Sequence, residues 1–488
     1  MTERRVRKHV KDRRCEEFRE KIKGFKLAEI IGVAVDVSKS FYRVMMFNFD
    51  GEVLSGPFDV DVFESGYKRL MYEMKRVAQE RQAKKVFWVM EPTGCYHHNL
   101  ARHLVGDGQE VIFLNPSQVA SNREQRMLRG LKSDDIDLGA IADILIRGEG
   151  YSYNLEEGVY LELKERAWWR EKKLKLQTQL KNQIRARGER IFPGLTSEYG
   201  GNQPLFSDLW KQGTARGLMK VGLTPRQILE LPISSLRKKF GDVGHPISTD
   251  WAKKIKTYFE RMLWPEDKVL VPAIELLIRD VKLLETLEAE IAEVEDEMIE
   301  GVKETPWSHL LGKIKGIGDI MVAALAGAVG DIKKFKWGSQ IFRKSGLDPK
   351  SKQSGEYEAR GLPIRRMGSK LLRCILYKMA DSVIKHNPYF GLYYEYLVEK
   401  RKKPSKKAQI AVANKITRVS FAMVRDGAEF SPPTAKIDYL EVLFAKTKQQ
   451  RKERREERKA RRERASHDSR PFQALEASSL GKAVSLGA

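Results

Sequence analysis

IIGVAVDV at Ile30–Val37, FYRVMMFNF at Phe41–Phe49 and VLSGPFDV at Val53–Val60 are three successive runs rich in β-branched and aromatic side chains. Asp50-Gly51 separates the second from the third, a strong signal for a hairpin turn. Three strands are therefore expected, and the pattern then changes. Phe63 to Glu80 carries Phe63, Tyr67, Leu70, Met71, Met74 and Val77 at helical spacing. Val86–Met90 and Val111–Leu114 read as buried-type strands. His97–Leu104, the stretch from Pro116 and Asp134–Ile146 read as helices. The order βββ-α-β-α-β-α predicts an antiparallel hairpin feeding a mixed sheet with helices on its faces.

That order is the one expected of a ribonuclease-H-like fold. The rest of the chain is predicted to be helical, so the fold class is α/β plus all-α. Residues 1–27 form a basic N-terminal arm (Arg4, Arg5, Arg7, Lys8, Lys11, Arg13, Arg14) with few apolar anchors, read as a mobile or partner-ordered extension or a solvated helix. The α/β domain runs over 28–165. Residues 166–303 are a helical region ending in a heptad with Leu277, Leu284, Ile291 and Met298 in one register and Leu287 and Val294 in the other. Such a seam serves a coiled-coil dimer or a hairpin within one chain, and three heptads do not choose between them. Residues 304–440 form another helical unit. Residues 441–488 are a basic, partly disordered tail, whose run to Arg464 suits a solvated helix or a phosphate backbone.

Charge narrows the function. The chain has 488 residues, 90 Lys plus Arg against 66 Asp plus Glu, and a formal net charge of +24. Its 41% apolar content excludes global disorder. No apolar run approaches the roughly 20 residues of a membrane span, and residues 1–26 are too charged for a secretory signal. Three distant cysteines (Cys15, Cys95, Cys374) exclude a disulfide framework and a CxxC zinc site, and no HExxH is present. A protein of the cytoplasm with a polyanionic partner, by default nucleic acid, is expected.

Four acids stand at site-like places. Asp36 lies on the first strand among β-branched residues, where a carboxylate is costly to bury without a cation or donor. Glu91 ends the fourth strand before Pro92-Thr93-Gly94, and ligands gather at the carboxyl ends of strands in α/β sheets. Asp134 and Asp137 share one helix face, although Asp134 or Asp135 would also suit a helix cap. If the first and fourth strands are neighbours and the last helix crosses them, the four carboxylates converge. Such a cluster needs compensating charge, and hard oxygen donors select Mg²⁺ or Mn²⁺, the ions of phosphodiester cleavage.

A second constellation lies towards the C-terminus. Lys315-Gly316-Ile317-Gly318 opens an apolar helix, an arrangement like a helix-hairpin-helix turn on DNA phosphates, though plain tight-turn glycines read the same way. Beyond it come Ser345-Gly346-Leu347-Asp348-Pro349, Ser354-Gly355, and the basic stretch Arg365-Arg366-Met367-Gly368-Ser369-Lys370 leading to Arg373. Spacing alone does not make Ser354 a nucleophile; no GxSxG elbow is present.

Asp36-Val37-Ser38-Lys39, Glu91-Pro92-Thr93-Gly94-Cys95-Tyr96, Asn115-Pro116 and Lys132-Ser133-Asp134-Asp135-Ile136-Asp137 closely resemble the signature segments of the DEDD transposases of the insertion-sequence one-ten family, which includes the pilin-gene inversion recombinases. Gly316-Ile317-Gly318, Gly346-Leu347-Asp348-Pro349, Ser354-Gly355 and Gly368 to Arg373 resemble that family's C-terminal transposase domain. The resemblance runs from about Ile30 to Gly427. It implies a RuvC-like domain holding Mg²⁺ (or Mn²⁺) on Asp36, Glu91, Asp134 and Asp137, a central coiled-coil dimerisation domain, and a serine nucleophile placed at Ser354. It also implies guidance by a structured bridge RNA and assembly from dimer to tetramer on donor and target DNA. Lys39, Lys132, Lys315, Gly316, Gly318, Arg365, Arg366, Lys370 and Arg373 are the expected nucleic-acid contacts. Two positions depart from the pattern. Asp135 adds a third carboxylate to the late motif, and Gln353 stands where many relatives have serine, leaving Ser351 as a second choice of nucleophile. A RuvC-like nuclease or junction resolvase without a covalent intermediate is the alternative, and a catalytically dead nucleic-acid-binding protein the third.

Overall fold

The computed structural model describes residues 16–92, 94–126, 134–152, 158–196, 204–350, 353–354, 357–358, 362–432, 442–450, 452–453, 456–457 and 460. The chain divides into two compact units, Met1–Glu156 and Glu157–Ala488.

In the first unit, α1 (Glu16–Ile22) precedes β1 (Ile30–Val37), β2 (Phe41–Asn48) and β3 (Val53–Asp61). Then come α2 (Glu64–Glu80), β4 (Lys85–Met90), α3 (His97–Gly106), β5 (Glu110–Phe113), α4 (Pro116–Arg126), α5 (Asp134–Ile146) and β6 (Tyr151–Ser152). The sheet order is β3-β2-β1-β4-β5-β6. β1 pairs antiparallel with β2 and parallel with β4, and β5 runs parallel to β4. The short β6, antiparallel to β5, extends an edge that the sequence pattern did not announce.

Side-chain alternation assigns each face its helices. Ile31, Val33, Val35, Trp88 and Met90 pack with Leu70 and Met74 of α2 and Leu100 and Leu104 of α3. Ala34, Phe87 and Val89 pack on the opposite face with Leu138, Ile141 and Leu145 of α5. Being covered on both sides, β1 reads as a nearly continuous apolar run.

The arm over 1–27, read as a mobile or partner-ordered extension or a solvated helix, forms in its described part a helix that is anchored. Phe18 and Ile22 are buried in the α5-face core, and the Phe18 ring lies 5.2 Å from Phe87 and 5.9 Å from Phe49. Phe18 and Ile22 are four residues apart, so one face of α1 is apolar within a charged segment.

Among its described residues the second unit is helical apart from one small hairpin and an isolated bridge between Pro349 and Ile364. α6 (Val159–Ile191) is followed by α7–α10 (Gly213–Lys220, Pro225–Glu230, Ile233–Asp242 and Thr249–Arg261) and α11 (Asp267–Lys303). Ion pairs Arg166–Glu297 at 2.7 Å, Lys181–Glu288 at 2.8 Å and Arg187–Asp280 at 3.0 Å descend α11 as they climb α6, so the two helices run antiparallel. Of the two readings of the heptad seam, a coiled-coil dimer or a hairpin within one chain, the packing on α6 is that of the hairpin. Leu277, Leu284 and Leu287 are buried, Leu277 and Leu284 in one core with Leu180 and Ile184 of α6 and with α7–α10. Met298 and Val302 join Leu163 and Ala167 in the other core. That core also holds α12 (Asp319–Val329), α13 (Gly338–Lys344), α14 (Lys370–His386), α15 (Pro388–Glu395) and α16 (Ser405–Asp426), with the hairpin β7 (Gln353–Ser354) and β8 (Tyr357–Glu358) between α13 and α14. Among the described residues no helix is long and apolar enough to cross a membrane.

Candidate active site

Asp36 is the one half-buried residue of β1. β1 and β4 pair from Ile30↔Lys85 to Val35↔Met90. The same register carried one residue further sets Asp36 beside Glu91, at the start of the loop after β4. By alternation Asp36 shares the face of Ala34, the side that α5 covers. Its antiparallel partner on β2 is Arg43.

α5 opens with Asp134, Asp135 and Asp137 in its first turn, where negative charge complements the helix dipole. The three have different fates. Arg43 donates through Nε to Asp135 at 2.7 Å and through Nη1 to Asp59 at 2.9 Å. Arg123 on α4 donates through Nη1 to Asp137 at 2.7 Å, and the Asp137 side chain is only 13% exposed. Asp134 is exposed. The hydrogen bond to Asp137 raises the Arg123 pKa above its ordinary value, and the fields of Asp137 and Glu91 add to it. One guanidinium thus feels both the β4-end acid and the α5 acid.

The structure therefore brings Asp36 next to Glu91 in register, and Glu91 and Asp137 to a common cation. Among the described residues, no three His, Cys, Asp or Glu side chains are drawn close enough to hold a metal ion. Mutual repulsion opposes such closeness until a cation compensates it, and Arg43 and Arg123 draw two of the acids to themselves. Neither arginine was singled out from sequence. Arg43 had a usable signal, since an arginine one strand away from a half-buried aspartate is a natural counter-ion; Arg123 becomes visible only once α4 packs on α5.

Lys39 is exposed in the β1–β2 turn, which Ser38 braces by donating from Oγ to the Phe41 carbonyl at 2.6 Å. Lys132 and Ser351 lie outside the described residues.

In the second unit, Lys315 is exposed. Gly316 has φ +93°, and a Cβ there would lie 3.1 Å from His386 and from the Ser382 carbonyl. Gly316 is thus required for packing against α14, whatever else its loop does. Gly318 is the N-cap of α12.

The Ser354 hairpin rises from two interlocked loops. Ser369 N–H donates to Lys344 O at 2.7 Å, Arg366 to Gly346 O at 3.0 Å, Arg365 to Asp348 O at 2.9 Å and Lys350 to Pro363 O at 2.9 Å. A Cβ on Gly346 would meet the Met367 carbonyl at 2.5 Å, and one on Gly368 the Lys344 carbonyl at 2.3 Å. Only glycine lets these backbones approach so closely. Arg365 pairs with Asp348 at 3.2 Å, and Arg373 donates to the Ser345 carbonyl at 2.9 Å, so both brace this ribbon. Arg366 and Lys370 are exposed beside it. Ser354 ends β7 and pairs with Tyr357.

Comparison with known proteins follows these two regions. Residues 33–193 match the family model of DEDD transposases of the IS110 type, and residues 308–395 match that of the IS116/IS110/IS902 transposases. Together the two models cover just over half of the chain. A probable family 20 transposase of Pseudomonas aeruginosa is 29% identical over 153 residues, 30% of this chain and 44% of that protein. The matched part thus spans less than half the length of this relative.

Proposed function

Because the chain belongs to the IS110 family of DEDD transposases, we propose that it is the DNA recombinase of an insertion sequence, with a RuvC-like first unit and a serine nucleophile in the second. The observation that supports this most is the β1–β4 register that sets Asp36 beside Glu91, on the face covered by α5 and its Asp137. Asp36, Glu91, Asp134 and Asp137 would hold the ion. Their donors are all oxygen, as Mg²⁺ or Mn²⁺ requires, and the place already accepts a positive group in Arg123, so the residues fit a divalent cation. When bound, it would offset charge developing on the scissile phosphate. Asp135, held by Arg43, is assigned to structure.

Ser354 supplies the covalent chemistry. Its Oγ attacks the phosphorus, an O–P bond forms, the bond from phosphorus to the sugar oxygen breaks, and the hydroxyl proton passes to that leaving oxygen. The phosphodiester energy stays in the serine ester until a sugar hydroxyl of the other strand attacks it. A guide RNA paired to donor and target would choose the sites, leaving the protein to read backbone and shape. Self-association, up to a tetramer, falls to the outward face of α11. There Val269, Leu276 and Leu283 recur every seven residues and are 45%, 44% and 59% exposed.

Titration with Mn²⁺ tests the ion site directly. Wild-type protein is expected to bind Mn²⁺ and Asp36→Ala to lose that binding; equal binding by both would refute the assignment. Arg123→Ala removes the competing cation, so its Mn²⁺ affinity should rise severalfold, while its melting temperature without metal falls. Unchanged affinity would show that the guanidinium does not occupy the ion's ground.

A further inference from the structure

Just beyond the region matched by the second family model, the chain reads Glu399-Lys400-Arg401-Lys402-Lys403-Pro404-Ser405-Lys406-Lys407, six cations against one acid. Residues 399–407 are all exposed. The segment is nonetheless held in one shape. Residues 396–400 form a π-helical turn, the Arg401 amide donates to Tyr396 O at 3.1 Å, and the Lys403 amide donates to Leu397 O at 2.9 Å. The hydroxyls of Tyr394 and Ser405 are hydrogen-bonded at 2.6 Å. Lys402 takes the left-handed conformation, φ +50°, which is unfavourable for any residue with a Cβ. The result is a fixed basic knuckle between α15 and α16.

Four of its six cations, Lys400, Lys402, Lys403 and Lys406, have no acidic partner among the described residues. Arg401 lies 5.9 Å from the ring of Tyr396. Elsewhere in the same unit lysines and arginines are routinely paired, as along α6 and α11. Crowding cations on a backbone held partly in an unfavourable conformation costs stability, and a polyanion removes that cost. Tyr396 is 47% exposed beside them. A ring next to cations is the combination that suits a nucleic-acid strand better than a lipid surface or an acidic peptide.

We infer that the knuckle 400–407 is a sequence-independent docking site for a phosphodiester backbone, separate from the Ser354 ribbon. This rests on the reading of the protein as a nucleic-acid enzyme. Contacts of this kind set affinity and its salt dependence without selecting sequence.

The test is the slope of log affinity against log salt for full-length protein, on a random DNA duplex and on an RNA hairpin with the same number of phosphates. The triple variant Lys402→Asn, Lys403→Gln, Lys406→Gln should fold as wild type, since these side chains are exposed. It should bind at least about tenfold more weakly at 0.1 M salt, and its slope should be shallower by roughly 2. A change on the duplex alone assigns the knuckle to DNA, and one on the hairpin alone assigns it to RNA. As a control, Lys238→Gln, Lys239→Gln, Lys253→Gln removes equal charge from exposed positions elsewhere. An unchanged slope in the knuckle variant, or an equal loss in the control, overturns the inference. A wild-type slope near zero would instead overturn the nucleic-acid reading itself.

Discussion

Asp36→Ala, Glu91→Ala and Asp137→Ala should each lower DNA cleavage by at least about a thousandfold while leaving nucleic-acid binding within about threefold of wild type. Each substitution removes one oxygen ligand and so misplaces the ion, but leaves the basic surfaces untouched. Asp135→Asn is the informative contrast. Its carboxylate is 2.7 Å from Arg43 Nε and is spent on a partner that also holds Asp59. It should therefore retain most activity, because exposed pairs of this kind contribute about 1 kcal/mol or less. If Asp135→Asn were as inactive as Asp36→Ala, Asp135 would be the ligand and Asp134 the bystander.

Neighbouring leucines on α11 should behave as opposites. Leu284 is 1% exposed in the core between α6 and α7–α10, whereas Leu283 is 59% exposed. Leu284→Asp places an uncompensated carboxylate in an apolar core, and should cost about 4 kcal/mol or more and leave little folded protein. Leu283→Asp should fold with wild-type stability and lower the mass of the assembly in solution. Thermal melts and light scattering on the two variants read these effects separately. A folded Leu284→Asp that is merely monomeric would return the dimer seam to Leu277, Leu284 and Ile291.

What the sequence revealed follows from which signals are local. Strand alternation and the Asp50-Gly51 turn are short-range, so the β1–β3 meander and the helix after it were legible, and the β1–β4 pairing followed from their order. The heptad on α11 was equally plain, but periodicity reports only that a face is buried. It does not report against what, and the partner turned out to be α6, a hundred residues earlier in the chain. Phe18 and Ile22 were hidden because a highly charged segment can still carry one apolar stripe. Of the partners of Asp135 and Asp137, Arg43 lies opposite Asp36 across a short strand turn, whereas Arg123 arises from helix packing that no spacing encodes. The Lys400–Lys407 run went unremarked in the sequence, where it is one basic stretch among several. What composition could not supply is that its backbone is fixed and its charges face solvent.

Trapping the reaction in denaturant distinguishes a serine ester from simple hydrolysis. Full-length protein, guide RNA, donor and target DNA and Mg²⁺ are quenched during turnover, and the peptide attached to DNA is identified by mass. A DNA-linked peptide containing Ser354 is expected, absent from Ser354→Ala and from Asp36→Ala. Linkage at Ser351 would keep the serine ester and move the nucleophile. Strand cleavage by wild type with no protein–DNA adduct, and undiminished in Ser354→Ala, would contradict the serine mechanism and leave a hydrolytic nuclease.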